Sequence, residues 1–196
     1  MSKIITDINE LDMNGTYSYA DYLMWKFKER VELFKGKIFK MSPAPSTKHQ
    51  KISSVLHGEF YATFKNHSCR LFSAPFDVRL TRKNKKNEDI TTVVQPDLCV
   101  ICDLDKLDEQ GCNGAPDLII EILSPGNSKK EMKTKFDLYE EAGVREYWIV
   151  NPLDENVLVF VLENDEYKAL RPVVDDFIRS QIFPDVKIHT DEVFNY

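Results

Sequence analysis

The run Asp117-Leu118-Ile119-Ile120-Glu121-Ile122-Leu123 limits this chain more than any other segment. Its near-continuous apolar character predicts a central strand covered on both faces, the setting of an α/β sheet flanked by helices. Glu121 interrupts it. A carboxylate in a dry sheet must be paired, protonated or holding a metal ion, because burying it alone is too costly. A plain core has no need of it, so the strand predicts a site as well as a fold.

The segment that follows predicts how the strand is covered. Ser128 with Glu131 three residues on is a capping box, and Gly143 stands where a helix-ending glycine belongs. Arg145-Glu146-Tyr147-Trp148-Ile149-Val150 then reads as a strand, completing a strand–helix–strand unit expected to be parallel and right-handed. At about 100° per residue, Met132, Phe136 and Tyr139 form one stripe of the helix and Leu138 widens it. Lys135 falls inside this buried arc; Lys130 and Lys133 fall outside it. A lysine aimed at the sheet beside a buried acid is half of an ion pair or a catalytic group, unless it pairs along its own helix with Glu131.

Upstream, Ser18 to Lys28 suggests a short helix with Tyr19, Leu23, Met24 and Phe27 on one side. Val31–Phe34 and Lys37–Met41 read as a hairpin turning at Lys35-Gly36 and stopped by Ser42-Pro43-Ala44-Pro45. His49 to Asn66 is an amphipathic helix, with Ile52, Val55, Leu56, Phe60 and Phe64 at helical spacing. Leu71 to Leu80 and Val93 to Cys102 are each strand-like, followed by polar stretches over 81–92 and 103–114. Val157–Leu162 and Tyr167–Val173 form a trailing hairpin. The sum is a mixed β-sheet with helices on both faces. No repeat or linker divides it, so one domain over residues 1–196 is expected.

Composition excludes some classes. No stretch reaches the roughly 18 apolar residues of a membrane span, and the first residues lack the apolar core of a signal peptide, so no membrane and a cytoplasmic location are expected. A net charge of −6 argues against sequence-blind capture of nucleic acid, while leaving room for a local basic strip. Arg82, Lys83, Lys85 and Lys86 form one cationic cluster; Lys129, Lys130, Lys133 and Lys135 form another. Cys99 and Cys102 have CxxC spacing, but on a strand they point to opposite faces and cannot pinch one zinc ion. Reduced, structural thiols are expected for these and for Cys69 and Cys112.

Glu121 needs company if it is to bind a hard cation, which takes one or two carboxylates, a carbonyl and waters. Asp117 shares its strand face but lies about 13 Å away. Pro96-Asp97 opens the preceding strand, and neighbouring strands lie about 4.8 Å apart. That makes Asp97 the better partner, although alone it reads equally as a strand-opening aspartate. Glu32, between Val31 and Leu33, is a third acid in apolar surroundings, or an exposed residue of a half-buried strand.

Three acids and a lysine in this order resemble a known family. Val31-Glu32-Leu33 with Gly36, His49-x-x-Ile52, Pro96-Asp97-Leu98, the block Gly114 to Pro125, Lys135-x-x-x-Tyr139 and the block Gly143 to Pro152 are similar to the Uma-type putative restriction endonuclease family. That family was long catalogued as a domain of unknown function and has the PD-(D/E)xK nuclease fold. The likeness spans roughly residues 15–170, and Gly114 to Pro152 is its specific part. It implies a restriction-endonuclease-like core and a Mg²⁺-dependent phosphodiesterase site, with Asp97 and Glu121 on the metal and Glu32 as the upstream acid. The wider superfamily places a lysine two residues after the acid; here position 123 is Leu. The family shares this departure and carries the lysine on the next helix, which matches Lys135.

The expected function is endonucleolytic hydrolysis of DNA, with Mg²⁺ or Mn²⁺ held by Asp97 and Glu121, alone or together with the Ile122 carbonyl, and Lys135 acting on water or on developing charge. His49 is a candidate phosphate contact or proton-transfer group, or a merely structural helix-start histidine. A homodimer fits an enzyme that cuts both strands, and the apolar tail Val173 to Phe194 serves either as its interface or in the core. Two rivals stand beside this reading: an inactive nuclease scaffold used for DNA or protein binding, and a metal-free protein in which Glu121 and Lys135 are a buried salt bridge.

Overall fold

Prolines divide what hydrophobicity alone would join. The computed structural model describes residues 3–41, 45–81, 86–125 and 129–195; Ser42-Pro43-Ala44, Arg82, Lys83, Lys85, Gly126, Asn127 and Ser128 of the readings above lie outside them. The helix expected over 18–28 is a single turn, α1 (Tyr19–Tyr22), closed by a Ser18/Asp21 capping box. It stops because Trp25 bridges to Ile5 and the Lys26 N–H donates to the Ile5 carbonyl at 2.7 Å. The hairpin β1 (Val31–Phe34) and β2 (Lys37–Lys40) forms as expected. Its two-residue turn places both Lys35 (φ 50°) and Gly36 (φ 82°) in left-handed backbone, as a primed hairpin turn requires.

Helix α2 (Thr47–Phe64), capped by Ser46, buries Ile52, Leu56, Phe60 and Phe64. The expected strand over 71–80 is two strands, β3 (Arg70–Ser73) and β4 (Val78–Arg79). The one over 93–102 likewise becomes β5 (Val93–Val94) and β6 (Leu98–Ile101). Pro75 and Pro96 sit in the two gaps, and a proline offers the ladder no N–H. At each break the chain passes from one sheet to the other. A small hairpin, β7 (Leu107–Asp108) and β8 (Gly111–Asn113), occupies the polar stretch before β9 (Leu118–Ile122).

The strand–helix–strand unit is β9, α3 (Lys129–Ala142) and β10 (Glu146–Asn151), with β9 and β10 parallel. Gly143, at φ 88°, ends α3 and donates back to the Tyr139 and Glu140 carbonyls. The trailing hairpin is β11 (Asn156–Glu163) and β12 (Glu166–Ala169); β13 (Phe177–Arg179), β14 (Lys187–His189) and α4 (Thr190–Phe194) follow. The fold is α/β, with mixed sheets flanked by helices. Among the described residues there are two six-stranded sheets rather than one, ordered β2-β1-β5-β4-β8-β7 and β12-β11-β10-β9-β6-β3, and β13 pairs with β14 apart from them.

Period-two alternation sorts the second sheet's side chains between its faces. Leu98, Val100, Leu118, Ile120 and Ile122 meet the apolar stripe of α2. Cys99, Ile101 and Ile119 turn the other way, toward Leu138 and Tyr139 of α3 and toward Phe34, Val78 and Val94 of the first sheet. Odd-numbered positions of β6 and β9 therefore look into the layer between the sheets. No described helix is long and apolar enough to cross a membrane.

Two of the four cysteines depart from expectation. Cys69 and Cys102 form a disulfide. They lie one step beyond the Arg70–Ile101 pair of β3 and β6, so the ladder register sets them opposite each other. Comparing Cys102 only with its sequence neighbour Cys99 concealed this partner. Cys99 and Cys112 are free and buried.

The C-terminal tail belongs to the core: Ile178, Phe183, Val186, Ile188 and Val193 pack with Phe64 and Trp148. Glu146, fully buried at the start of β10, ties it down. Its carboxylate accepts from Trp148 Nε1 at 2.5 Å, Ser180 Oγ at 3.0 Å and the N–H groups of Gln181 (2.9 Å) and Ile182 (3.0 Å). Replacing Glu146 with Ala strands these buried donors. The variant is expected to lose at least ~3 kcal/mol in denaturant unfolding; a loss below ~1 kcal/mol contradicts this role.

Candidate active site

Strand register brings the two acids together. The antiparallel pairing of β6 with β9 matches Leu98 to Ile120 and Cys99 to Ile119, and one step further it sets Asp97 opposite Glu121. Both are odd-numbered, so both side chains leave the same face, and opposite residues carry Cβ atoms about 5 Å apart. Pro96 lies in the gap between β5 and β6, so Asp97 stands immediately before the start of β6. There Asp97 Oδ2 accepts the Ile122 N–H at 2.7 Å.

Lys135 reaches this pair from α3, as the helical wheel predicts. Its Nζ lies 2.9 Å from Glu121 Oε1 and 3.1 Å from Glu32 Oε1, with little of any of the three side chains exposed. Glu32 is buried on β1, not exposed on a half-buried strand. It alternates with Leu33 and so shares the inter-sheet layer with Phe34. The Gln95 backbone N–H donates to the same Oε1 at 2.8 Å. Lys135 thus joins an acid from each sheet. Lys129, Lys130 and Lys133 of the same cluster are exposed.

Tyr139, four residues after Lys135, donates its hydroxyl to Glu121 Oε1 at 2.5 Å. Sequence reasoning placed Tyr139 in the buried stripe without assigning it to the site; the i, i+4 spacing from Lys135 carried the signal. Asp117 is elsewhere, accepting from the Cys102 N–H at 2.8 Å and pairing with Arg145 at 3.0 Å. His49, in the first turn of α2, brings Nε2 to 3.3 Å from Asp97 Oδ2. Its Nδ1 has no hydrogen-bond partner among the described residues. His49, Asp97, Glu121 and Lys135 line a cleft of about 630 Å³ with Arg30, Gln50, Ser53, His57 and Glu131, while Glu32 and Tyr139 stand behind its wall.

The electrostatics are those of crowded acids. Burial pushes the Glu121 carboxyl up to about 7; Lys135 opposes this, while Asp97 and Glu32 add to it. Burial alone would depress the Lys135 ammonium, but Glu121 and Glu32 outweigh it and raise its pKa. Burial likewise acts against a charged His49, and the bond to Asp97 overrides it, raising the imidazole. Three carboxylates against one ammonium leave negative charge in excess when all are ionised, which favours a further cation. Among the described residues no three His, Cys, Asp or Glu side chains gather as a metal cage. The donor set fits instead a hard cation that keeps waters and takes one or two carboxylates, here Asp97 and Glu121.

Because the Asp97 charge raises Glu121, Asp97→Asn should lower the Glu121 pKa from about 7 toward the ordinary carboxylate range. Carboxyl-carbon NMR titration of the metal-free protein reads this directly. An unchanged or higher value contradicts the arrangement.

Comparison with known proteins places this geometry. The family model Uma2, described as "Putative restriction endonuclease", matches residues 19–191. Among solved structures, a putative nuclease belonging to DUF820 from Anabaena variabilis is similar over 91% of this chain and 98% of its own, with a TM-score of 0.70 and 21% identity. No curated protein matches. At that identity the structural likeness speaks for the fold, while the family model extends from α1 to α4 and takes in every acid and the lysine of the cleft. This chain belongs to the Uma2 family of putative restriction endonucleases.

Proposed function

We propose that this protein is a divalent-metal-dependent endonuclease that hydrolyses DNA phosphodiester bonds. The observation that carries the reading is the Asp97/Glu121 pair on facing strands, with the Lys135 ammonium 2.9 Å from Glu121. Asp97 and Glu121 are the residues that would hold Mg²⁺ or Mn²⁺, with the Ile122 carbonyl as a further candidate ligand. Such an ion, when bound, supplies Lewis acidity toward a phosphate oxygen and a lowered pKa for its water.

The chain's own groups have separable tasks. Asp97, fixed by the Ile122 N–H, and Glu121, fixed by Tyr139, are oriented before any ligand arrives. Lys135, kept charged by two acids, offers an ammonium to the attacking water or to the charge developing on phosphate. Glu32 positions Lys135 and is itself positioned by Gln95. His49 stands at the cleft wall with Asp97 on one ring nitrogen and serves as a phosphate contact. Two copies of the chain would bring two such sites to a duplex.

One observation favours the rival of an inert scaffold: Lys135 pairs with both Glu121 and Glu32, as a purely structural ion cluster would. Plasmid cleavage separates the two. The wild type should nick supercoiled DNA with Mg²⁺ and stop with a chelator. Asp97→Asn, Glu121→Gln and Lys135→Gln should each slow cleavage by about 100-fold or more, with circular dichroism unchanged. Wild-type rates from Glu121→Gln would sink the proposal, and a wild type that neither cuts nor binds Mn²⁺ by calorimetry would establish the scaffold.

A further inference from the structure

Beside the cleft lies a second hollow, of about 390 Å³, that the proposed chemistry does not use. Arg30, Pro75 and Gln95 line both, so the two adjoin. The hollow is walled by Tyr22, Trp25 and Phe27, all partly exposed. Trp25 and Phe27 stack at 5.7 Å with 27° between their planes, and Tyr22 lies 5.5 Å from Trp25. Part of this row has an ordinary explanation, since Tyr22 and Trp25 back onto the small core of Tyr19, Leu33, Ile90 and Val93. Phe27 is outside that core and yet faces the hollow, stacked on Trp25.

Charge runs with the rings. Trp25-Lys26-Phe27-Lys28-Glu29-Arg30 carries three exposed cations against one acid, in a chain whose net charge is −6. The wall is also held in place. Arg30 Nη2 donates to Gln95 Oε1 at 2.8 Å, and Gln95 Nε2 donates to Asp77 at 2.8 Å and to the Tyr22 hydroxyl at 3.2 Å. The backbone N–H of the same Gln95 holds Glu32. One residue thus fixes the rim of the hollow and the acid that pairs with Lys135.

We infer that this hollow is a nucleobase subsite. A nucleotide next to the reacting phosphate lays its base against Trp25 and Phe27, while Lys28 and Arg30 meet its backbone phosphates. Aromatic faces accept any base by stacking, and cations beside them track the sugar–phosphate chain. A base can reach the rings only when it is out of its own stack. The substrate at this site is therefore single-stranded or locally opened nucleic acid rather than an undisturbed duplex. This rests on the phosphodiesterase reading and narrows its substrate.

Trp25 makes the test direct, because the chain has two tryptophans and the other, Trp148, is fully buried. The full-length protein with chelator present is titrated with a short oligothymidylate and with a strand of the same length made of abasic nucleotides. Oligothymidylate should quench Trp25 emission and bind about 10-fold more tightly than the abasic strand. By anisotropy of labelled strands, Trp25→Leu should abolish that preference, and Trp25→Phe, which keeps a ring, should retain most of it. Equal affinity for the two strands without quenching overturns the subsite and leaves the phosphodiesterase reading standing. Failure to bind either strand or a duplex overturns both. Emission that changes with protein concentration alone assigns the hollow to a second copy of the chain and overturns the subsite.

Discussion

The Lys135 ammonium, held between Glu121 and Glu32, joins three layers through one buried charge. Its helix is α3, Glu121 stands on the second sheet and Glu32 on the first. Buried ions are costly, and such a cluster is tolerated only where each charge has partners. Here each acid has a second donor, Tyr139 for Glu121 and the Gln95 N–H for Glu32. The relative placement of both sheets and the helix therefore sets the distance between the amine and the Asp97/Glu121 pair. The geometry proposed to serve chemistry in the cleft is also the geometry that gives each buried charge of the inter-sheet layer a partner.

A buried acid does not by itself mark a site, and this chain contains the counterexample. Glu146 is buried more completely than Glu121, at the start of the neighbouring parallel strand. Its four donors are an indole, a hydroxyl and two backbone amides, and they pin the tail. Burial raises the pKa of both acids. What separates them is company. Glu121 has an ammonium beside it, two further carboxylates facing it and an open cleft; Glu146 has neutral donors from a segment that covers it.

Much of the candidate site was legible because it is built on the two strongest periodicities. Alternation in β9 exposes Glu121 as an interruption, and the helical wheel of α3 separates Lys135 from Lys130 and Lys133. Facing strands then make Asp97 the natural partner. What sequence concealed was long-range. Glu32 lies on the other sheet, and nothing near Val31 announces that its face is closed over by α3. The chain crossings at Pro75 and Pro96 divide apparently continuous strands, so that a second sheet was missed. Cys69 meets Cys102 only through the β3–β6 register. Tyr139 looked like core because its ring is core; only its hydroxyl belongs to the site.

The account's central claim is that Asp97 and Glu121 are a cation-binding pair which Lys135 accompanies rather than replaces. Anomalous diffraction from a crystal soaked in Mn²⁺ tests it most directly. The account predicts a single Mn²⁺ peak bound by both carboxylates, with Lys135 still in the cleft. Absence of any peak there, with Lys135 still bridging Glu121 and Glu32 at saturating Mn²⁺, would contradict it.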